Sequence, residues 1–195
     1  MSVNNMPIVG ELRDAVEILK LNKAKMAEIA GKKSATKWGW IILAVPAVVN
    51  LVLMVLRVPS GFLDFLGSYL MWTVLIPFLS YVAVIFVIDI VASKMFNAKS
   101  DFWGLFRVLA YASLVMWVSI LPWLLGGSNL YNLFNLLTFV AGIWTLVVSY
   151  TMLMAHYKLS QQNAVIALVV SIVGYMIIQY ILGSLLVGPG YRWMM

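Results

Sequence analysis

Residues 69–92 read YLMWTVLIPFLSYVAVIFVIDIVA, and this stretch decides the fold. It holds a single charged side chain, Asp89. About 20 apolar residues in a helix cross the roughly 30 Å of hydrocarbon in a bilayer. Hydrocarbon offers no water to backbone N–H and C=O groups, and a helix satisfies them within the segment. Residues 69–92 are therefore expected to form a transmembrane helix. Four more apolar runs of similar length flank it, at 38–56, 102–125, 131–155 and 164–187. The breaks between them are Arg57-Val-Pro-Ser-Gly61, Asn97-Ala-Lys-Ser-Asp101, Gly126-Gly-Ser-Asn129 and Tyr157-Lys-Leu-Ser-Gln161. A membrane β-barrel would show alternating segments of about ten residues instead. The expected fold is all-α: a polytopic five-helix membrane domain over 38–187. An N-terminal cytoplasmic segment, 1–37, carries an amphipathic helix, and a short outer tail covers 188–195.

Composition supports this. The 195 residues are 64% apolar and 10% charged, against about 45–50% and 25% in soluble domains. One small globule could not hide so much apolar surface. The chain has no cysteine, which excludes a disulfide framework, a thiolate metal site and a cysteine nucleophile. The net charge of +6 is concentrated early, with seven of the thirteen Lys/Arg residues before Trp38 and acids interspersed. That pattern argues against nucleic acid and for a membrane surface. The first long apolar run begins only at Trp38, so the N-terminus does not read as a secretory signal.

Residues 8–30 suggest one amphipathic helix. At about 100° per residue, Ile8, Leu12, Ala15, Leu19, Met26 and Ala30 share a stripe, opposite Arg13, Asp14, Glu17, Lys20, Glu28 and Lys32. Such a helix either lies on the bilayer or grips a partner, or packs against its own bundle; the stripe fits both. In the first case Lys20, Lys23, Lys25, Lys32 and Lys33 would contact anionic headgroups of the inner leaflet.

Charge also orients the bundle. With the N-terminus inside, eleven Lys/Arg residues fall on the inner side and only Arg57 and Arg192 on the outer, a strong positive-inside bias. Trp38, Trp40 and Trp103 then mark the inner boundary, and Tyr69, Trp72, Trp123, Tyr131 and Trp193 the outer. Trp144 falls at mid-membrane as a packing residue.

Ionisable groups inside the spans are the place to look for chemistry, since each costs about 2.5–3.5 kcal/mol at a helix centre. Asp89 and Arg107 sit at matched depth on neighbouring helices, about 5–8 Å below the inner boundary at 1.5 Å per residue. An Asp89–Arg107 ion pair is the expectation. Asp89 is shallower than the midplane carboxylate of a coupled transporter. His156, alone at the inner end of the fourth span, lacks the second ligand a metal site requires. Metalloprotease, nucleophile-elbow and phosphate-loop motifs are absent. No catalytic, cofactor-binding or metal residue is therefore assigned, and no enzyme is expected.

Two stretches carry a family resemblance. Lys99-Ser-Asp-Phe-Trp-Gly-Leu-Phe-Arg-Val-Leu-Ala-Tyr-Ala112 resembles the loop-to-helix signature of prokaryotic members of the Yip family (Ypt-interacting-protein domain). There, a Gly/Lys-rich inner loop leads into an Arg-Val-x-Gly/Ala-Tyr-Ala helix. Trp144, the turn Ala155-His-Tyr-Lys-Leu-Ser160 and then Ala164 are similar to a second family pattern. The resemblance covers roughly 38–187. It implies five membrane helices, a cytosolic N-terminus, an outer or lumenal C-terminus and, for the prokaryotic branch, the cytoplasmic membrane. Eukaryotic relatives are linked to Rab-type GTPases, vesicle traffic and membrane shaping. Their Asp-Leu-Tyr-Gly-Pro-like stretch is replaced here by Lys32-Lys-Ser-Ala-Thr-Lys37. The function expected is a non-enzymatic membrane scaffold or adaptor whose partners are membrane lipids and a protein partner or second copy. The alternative is a small transporter or channel subunit, marked by a wet path from Asn50 and Gln179 to Asp89.

Overall fold

The computed structural model describes residues 7–56, 70–121 and 131–187. Arg57, Tyr69, Trp123, Arg192, Trp193 and the 188–195 tail, all used in the sequence reading, lie outside the described residues. The described residues form helices joined by short turns, with no strand among them, as expected for an all-α polytopic membrane protein. We label its helices α1 (Pro7–Leu19), α2 (Lys23–Gly31) and α3 (Ala35–Val55). Helix α4 (71–95) is α-helical over Ile76–Ile90 with π-helical turns at Met71–Leu75 and Val91–Met95. Helix α5 (102–120) is α-helical over Phe102–Ala112 and tightens to a 3-10 helix over Ser113–Ile120. Helices α6 (Tyr131–Ala155) and α7 (Gln161–Val187) complete the bundle. Among the described residues, four segments are long and apolar enough to cross a membrane: Ala35–Leu53, Ile76–Met95, Asn135–Ala155 and Gln161–Leu185. The shorter apolar helix Phe102–Val118 accompanies them.

Helix α5 is the axis of the bundle, touched by α1, α2, α3, α4 and α6, while α7 packs on α4 and α6. Its sequence explains the position. A helix apolar all round is stable only when surrounded, and Gly104, Leu105, Phe106 and Val108 through Ala112 are all buried, with Arg107 the half-buried exception. Gly39 lets α3 approach closely: a Cβ there would stand 3.0 Å from that of Ala110. Trp40 then rests on Phe106, ring centroids 4.3 Å apart.

Pro46 interrupts the hydrogen-bond ladder of α3, because proline has no N–H to give the carbonyl four residues earlier. That carbonyl belongs to Ile42, and Trp117 of α5 donates to it instead, Nε1 to O 3.0 Å. The missing backbone donor is thus replaced by an indole from the neighbouring helix.

The N-terminal segment departs from the single helix expected over 8–30. Leu21 adopts a left-handed conformation with φ 62°, and Asn22 caps a new helix by accepting from the Lys25 N–H at 3.1 Å. The result is a helical hairpin, α1–α2, folded against the bundle. The break rotates the buried stripe: Glu11, Ala15 and Ile18 face inward from α1, and Met26, Ile29 and Ala30 from α2. Leu12 and Leu19, on the apolar stripe expected from the sequence, are only partly covered.

Candidate functional site

The ionisable side chains gather at the end of the bundle that carries the hairpin, in two separate clusters. The first surrounds Asp89, near the end of α4 and only 4% exposed. The turn into α5 brings Ser100 and Asp101 back over it. This turn is made possible by Asn97 in the left-handed region (φ 54°), with the Ala98 N–H bonded to the Ala92 carbonyl at 3.1 Å. Asp89 Oδ2 accepts from Ser100 Oγ at 2.6 Å, and Oδ1 accepts from the Asp101 N–H at 2.9 Å and Tyr157 Oη at 2.6 Å. Asp101 is the N-cap of α5, accepting from the Gly104 N–H at 3.0 Å, and its other oxygen meets His156 Nε2 at 2.8 Å. Burial, followed by the bond to Asp89, pushes the Tyr157 phenol well above its ordinary range. It therefore stays a donor at neutral pH.

The second cluster fastens the hairpin. Arg107 Nε donates to Thr36 Oγ1 at 2.7 Å, and its Nη1 donates to the Ala30 carbonyl at the end of α2. Tyr111, one helical turn further along α5, donates its hydroxyl to Glu11. Glu11 also receives Lys32 Nζ at 2.8 Å, and Asp14 receives Lys25 Nζ at 3.1 Å. Hydrogen bonding to Glu11 holds the Lys32 ammonium above its usual range against the opposing effect of desolvation. Lys25 is raised likewise, first by Glu28 and then by Asp14.

The expected Asp89–Arg107 ion pair is therefore not formed. Matched depth placed the two groups at one height, but each points to a different neighbour: Asp89 to the α4–α5 and α6–α7 turns, Arg107 to α2 and the start of α3. The expected lysine surface is likewise only partly present. Lys20 is bonded to Glu17 at 2.8 Å, while Lys25 and Lys32 serve the hairpin's internal ion pairs. Among the described residues, Lys23 and Lys33 are the members of that set with no ion pair, and both are exposed. Trp144, expected to pack at mid-membrane, lies near the middle of the Asn135–Ala155 span and is 39% exposed. Its indole donates to the Leu19 carbonyl, where α1 ends, at 3.0 Å.

Several cavities lie between the described helices. One of about 230 Å³ lies between α3, α4 and α5, bordered by Pro46, Asn50, Pro77, Tyr81 and Ser113. Another of about 260 Å³, between α4, α5, α6 and α7, is walled by Val84, Ile85, Ile88, Leu109, Leu168 and Ile172. Its hydroxyls are engaged elsewhere: Thr145, Ser149 and Ser171 each donate to a carbonyl of their own helix, Tyr81 donates to the Leu109 carbonyl, and Tyr175 accepts from Gln179. A third, about 350 Å³, lies between α2 and the end of α6, with Lys23, Met26, Met152 and His156 on its walls. Among the described residues no group of three or more His, Asp or Glu side chains is arranged to hold a metal ion. The Asp89 carboxylate has three donors and borders none of these cavities.

What sequence reasoning missed is the partner set of each charge. Glu11, Thr36, Tyr111 and Tyr157 are as central to the clusters as Asp89 and Arg107. A signal existed for one of them: Asn22, three residues before Lys25, has the spacing of an N-cap, and a helix beginning there folds Lys25 and Lys32 back toward Asp14 and Glu11.

Comparison with known proteins agrees with this architecture at the level of family. Neither the curated proteins nor the solved structures contain a significant match to the chain. The Yip1 domain family matches it over residues 18–183, a stretch that runs from the end of α1 through α2 and both turns around Asp89 to near the end of α7, and the chain belongs to that family.

Proposed function

We propose that this Yip1-domain protein is a non-enzymatic membrane scaffold that holds the α1–α2 hairpin as a fixed platform at the cytoplasmic face. The observation that carries the reading is how the charges are used. Arg107, Glu11, Lys32, Asp14 and Lys25 join the hairpin to α3 and α5 and join its two helices to each other. Asp89 braces the two turns at the same end. General acid–base chemistry needs a titratable group poised over a space that substrate can enter, and these groups are committed to structure. The positive-inside bias of eleven basic residues against two favours the cytoplasm for the hairpin end. The resemblance to prokaryotic members favours the cytoplasmic membrane of such a cell.

The small-transporter reading has one observation in its favour. Among the described residues, Asn50 Oδ1 and Ser80 Oγ are the buried side-chain polar atoms without a hydrogen-bond partner, and Asn50 borders the cavity beside Pro46. Against it, Gln179 bonds to Tyr175 on its own helix at 2.9 Å, and the cavity between α4, α5, α6 and α7 is apolar. Asn50, Gln179 and Asp89 border no common cavity among those described.

Two measurements separate the readings. Photocrosslinkers at Arg13, Lys20 and Lys23, on the exposed polar side of the hairpin, should give one discrete adduct in native membranes. Purified protein in liposomes should show no ion or proton flux. A flux that Asp89→Asn abolishes, with no discrete adduct, would replace the scaffold by a transporter.

A further inference from the structure

Helix α1 has three faces. At about 100° per residue, Glu11, Ala15 and Ile18 occupy the sector buried against the bundle. Arg13, Asp14 and Glu17 occupy a polar sector, continued by Lys20 just beyond the helix. Between them runs an apolar stripe of Ile8, Leu12 and Val16 that the bundle leaves largely open, with Ile8 44% and Val16 41% exposed and Leu12 partly covered, while Leu19 at its end packs on the core. The stripe is continuous with the exposed apolar belt of α6. Trp144, bonded to the Leu19 carbonyl, is 39% exposed and is followed along that belt by Ile143 and Val140.

The two anchor points of α1 fix how it lies. Glu11 meets Tyr111, nine residues into α5, or about 14 Å from the start of that helix at 1.5 Å per residue. Leu19 meets Trp144, eleven residues before the end of α6, or about 16 Å from it. Equal depth at both ends means that α1 lies across the bundle, parallel to a membrane surface. Its charged sector cannot sit in hydrocarbon, and its apolar stripe is the surface an interfacial helix inserts. The edge of the hydrocarbon on this flank therefore runs along α1. From Trp144 to the start of α6 at Tyr131 leaves about 20 Å of apolar helix, whereas the exposed apolar side chains of α7, Val165 to Leu185, span about 30 Å.

We propose that α1 is a membrane-contact helix whose stripe, Ile8, Leu12 and Val16 beside Trp144, inserts into the leaflet at the hairpin end and thins that leaflet by about 10 Å on the α5–α6 flank alone. The partner of this surface is bilayer hydrocarbon, and the headgroups are drawn down beside the protein. The inference deepens the scaffold reading and rests on it for biological purpose, but its test reads lipid depth and is independent of any protein partner.

The chain has no cysteine, so single-cysteine spin labels report position without background. Labels at Ile8 and Val16 on the stripe, Arg13 and Lys20 on the polar side, and Ala27 and Ala155 on the far side of α1 would be measured in liposomes. Oxygen, which partitions into lipid, and a water-soluble nickel chelate compete as relaxants. Ile8 and Val16 should show an oxygen-to-nickel accessibility ratio several-fold above that of Arg13 and Lys20, and Ala27 and Ala155 should be open to nickel. Nickel access at Ile8 and Val16 equal to that at Arg13 would overturn the insertion. Oxygen-rich, nickel-poor signals at Ala27 and Ala155 would put the boundary at the helix ends and remove the thinning. Dipolar broadening between labels at Val16 would give the stripe to a second copy of the chain instead.

Discussion

Replacing Arg107 by Ala separates the observed arrangement from a simple ion pair across the spans. Arg107 donates to Thr36 Oγ1 at 2.7 Å and to the Ala30 carbonyl. Hydrogen bonds from a charged donor contribute about 1.5–3 kcal/mol each, and half-exposure moves them to the lower part of that range. The expected loss for Arg107→Ala is therefore about 2–4 kcal/mol. Asp89→Asn should be milder, at about 1–2 kcal/mol, because the amide oxygen still accepts from the Asp101 N–H and Tyr157, and the Ser100 hydroxyl can accept from the amide.

The decisive quantity is the coupling between the two changes. Residues without shared partners add within about 0.5 kcal/mol, whereas contacting residues deviate by about 0.5–3 kcal/mol. Arg107→Ala with Asp89→Asn should be additive, while Arg107→Ala with Thr36→Val should couple by about 1 kcal/mol. Unfolding of the four variants of each cycle by SDS titration in bicelles supplies these numbers. If Asp89→Asn restores more than about 1 kcal/mol to the Arg107→Ala protein, the carboxylate was being neutralised by that arginine, and the geometry described above is wrong.

Trp117→Phe should cost about 1–2 kcal/mol by leaving the Ile42 carbonyl without a donor; in a Pro46→Ala background, where residue 46 regains its N–H, thermal melting should show a much smaller loss. Equal losses in both backgrounds would remove the indole from the account of Pro46. The hairpin should also resist alkali. Because the folded Lys32 is raised above its ordinary value of 10.5 by Glu11, its contribution is complete below that pH and is lost as pH rises through the higher folded value. A spin label at Lys20 should gain mobility only above pH 10.5, and Lys32→Gln should abolish that step; a step at lower pH contradicts the Glu11–Lys32 bond.

The membrane-crossing helices were legible because their constraint is local: hydrocarbon demands a length of apolar chain wherever the chain crosses. Height along the bundle was legible for the same reason, and Asp89 and Arg107 do lie near one end. Azimuth was not. Depth counted in residues cannot say around which side of a helix a partner stands, so two charges at one level were assigned to each other when each belongs to a different neighbour. The hairpin failed for another reason. A helical wheel drawn through residues 8–30 assumes an unbroken helix, and one left-handed residue at Leu21 with a cap at Asn22 rotates every later position. The Pro46 gap announced that the Ile42 carbonyl needed a donor, but the indole that fills it is 75 residues away in the chain.

Magnitudes decide where the membrane ends on the α5–α6 flank. A hydrocarbon edge kept at the level it has on the α7 flank would immerse Arg13, Asp14, Glu17 and Lys20. At about 2.5–3.5 kcal/mol for each charge near a helix centre, the sum is about 10–14 kcal/mol, with exposed pairs such as Glu17–Lys20 returning little of it. Drawing the leaflet down by about 10 Å costs fractions of a kcal/mol per Å, a few kcal/mol in all. Inserting the α1 stripe offsets part of that, at about 25 cal/mol for each Å² of apolar surface removed from water. The thinner leaflet wins. It also explains how Glu11, buried but bonded to Lys32 and Tyr111, can sit about 14 Å along α5: water and headgroups reach its level along the polar side of α1, so the carboxylate is at a boundary and not in the hydrocarbon.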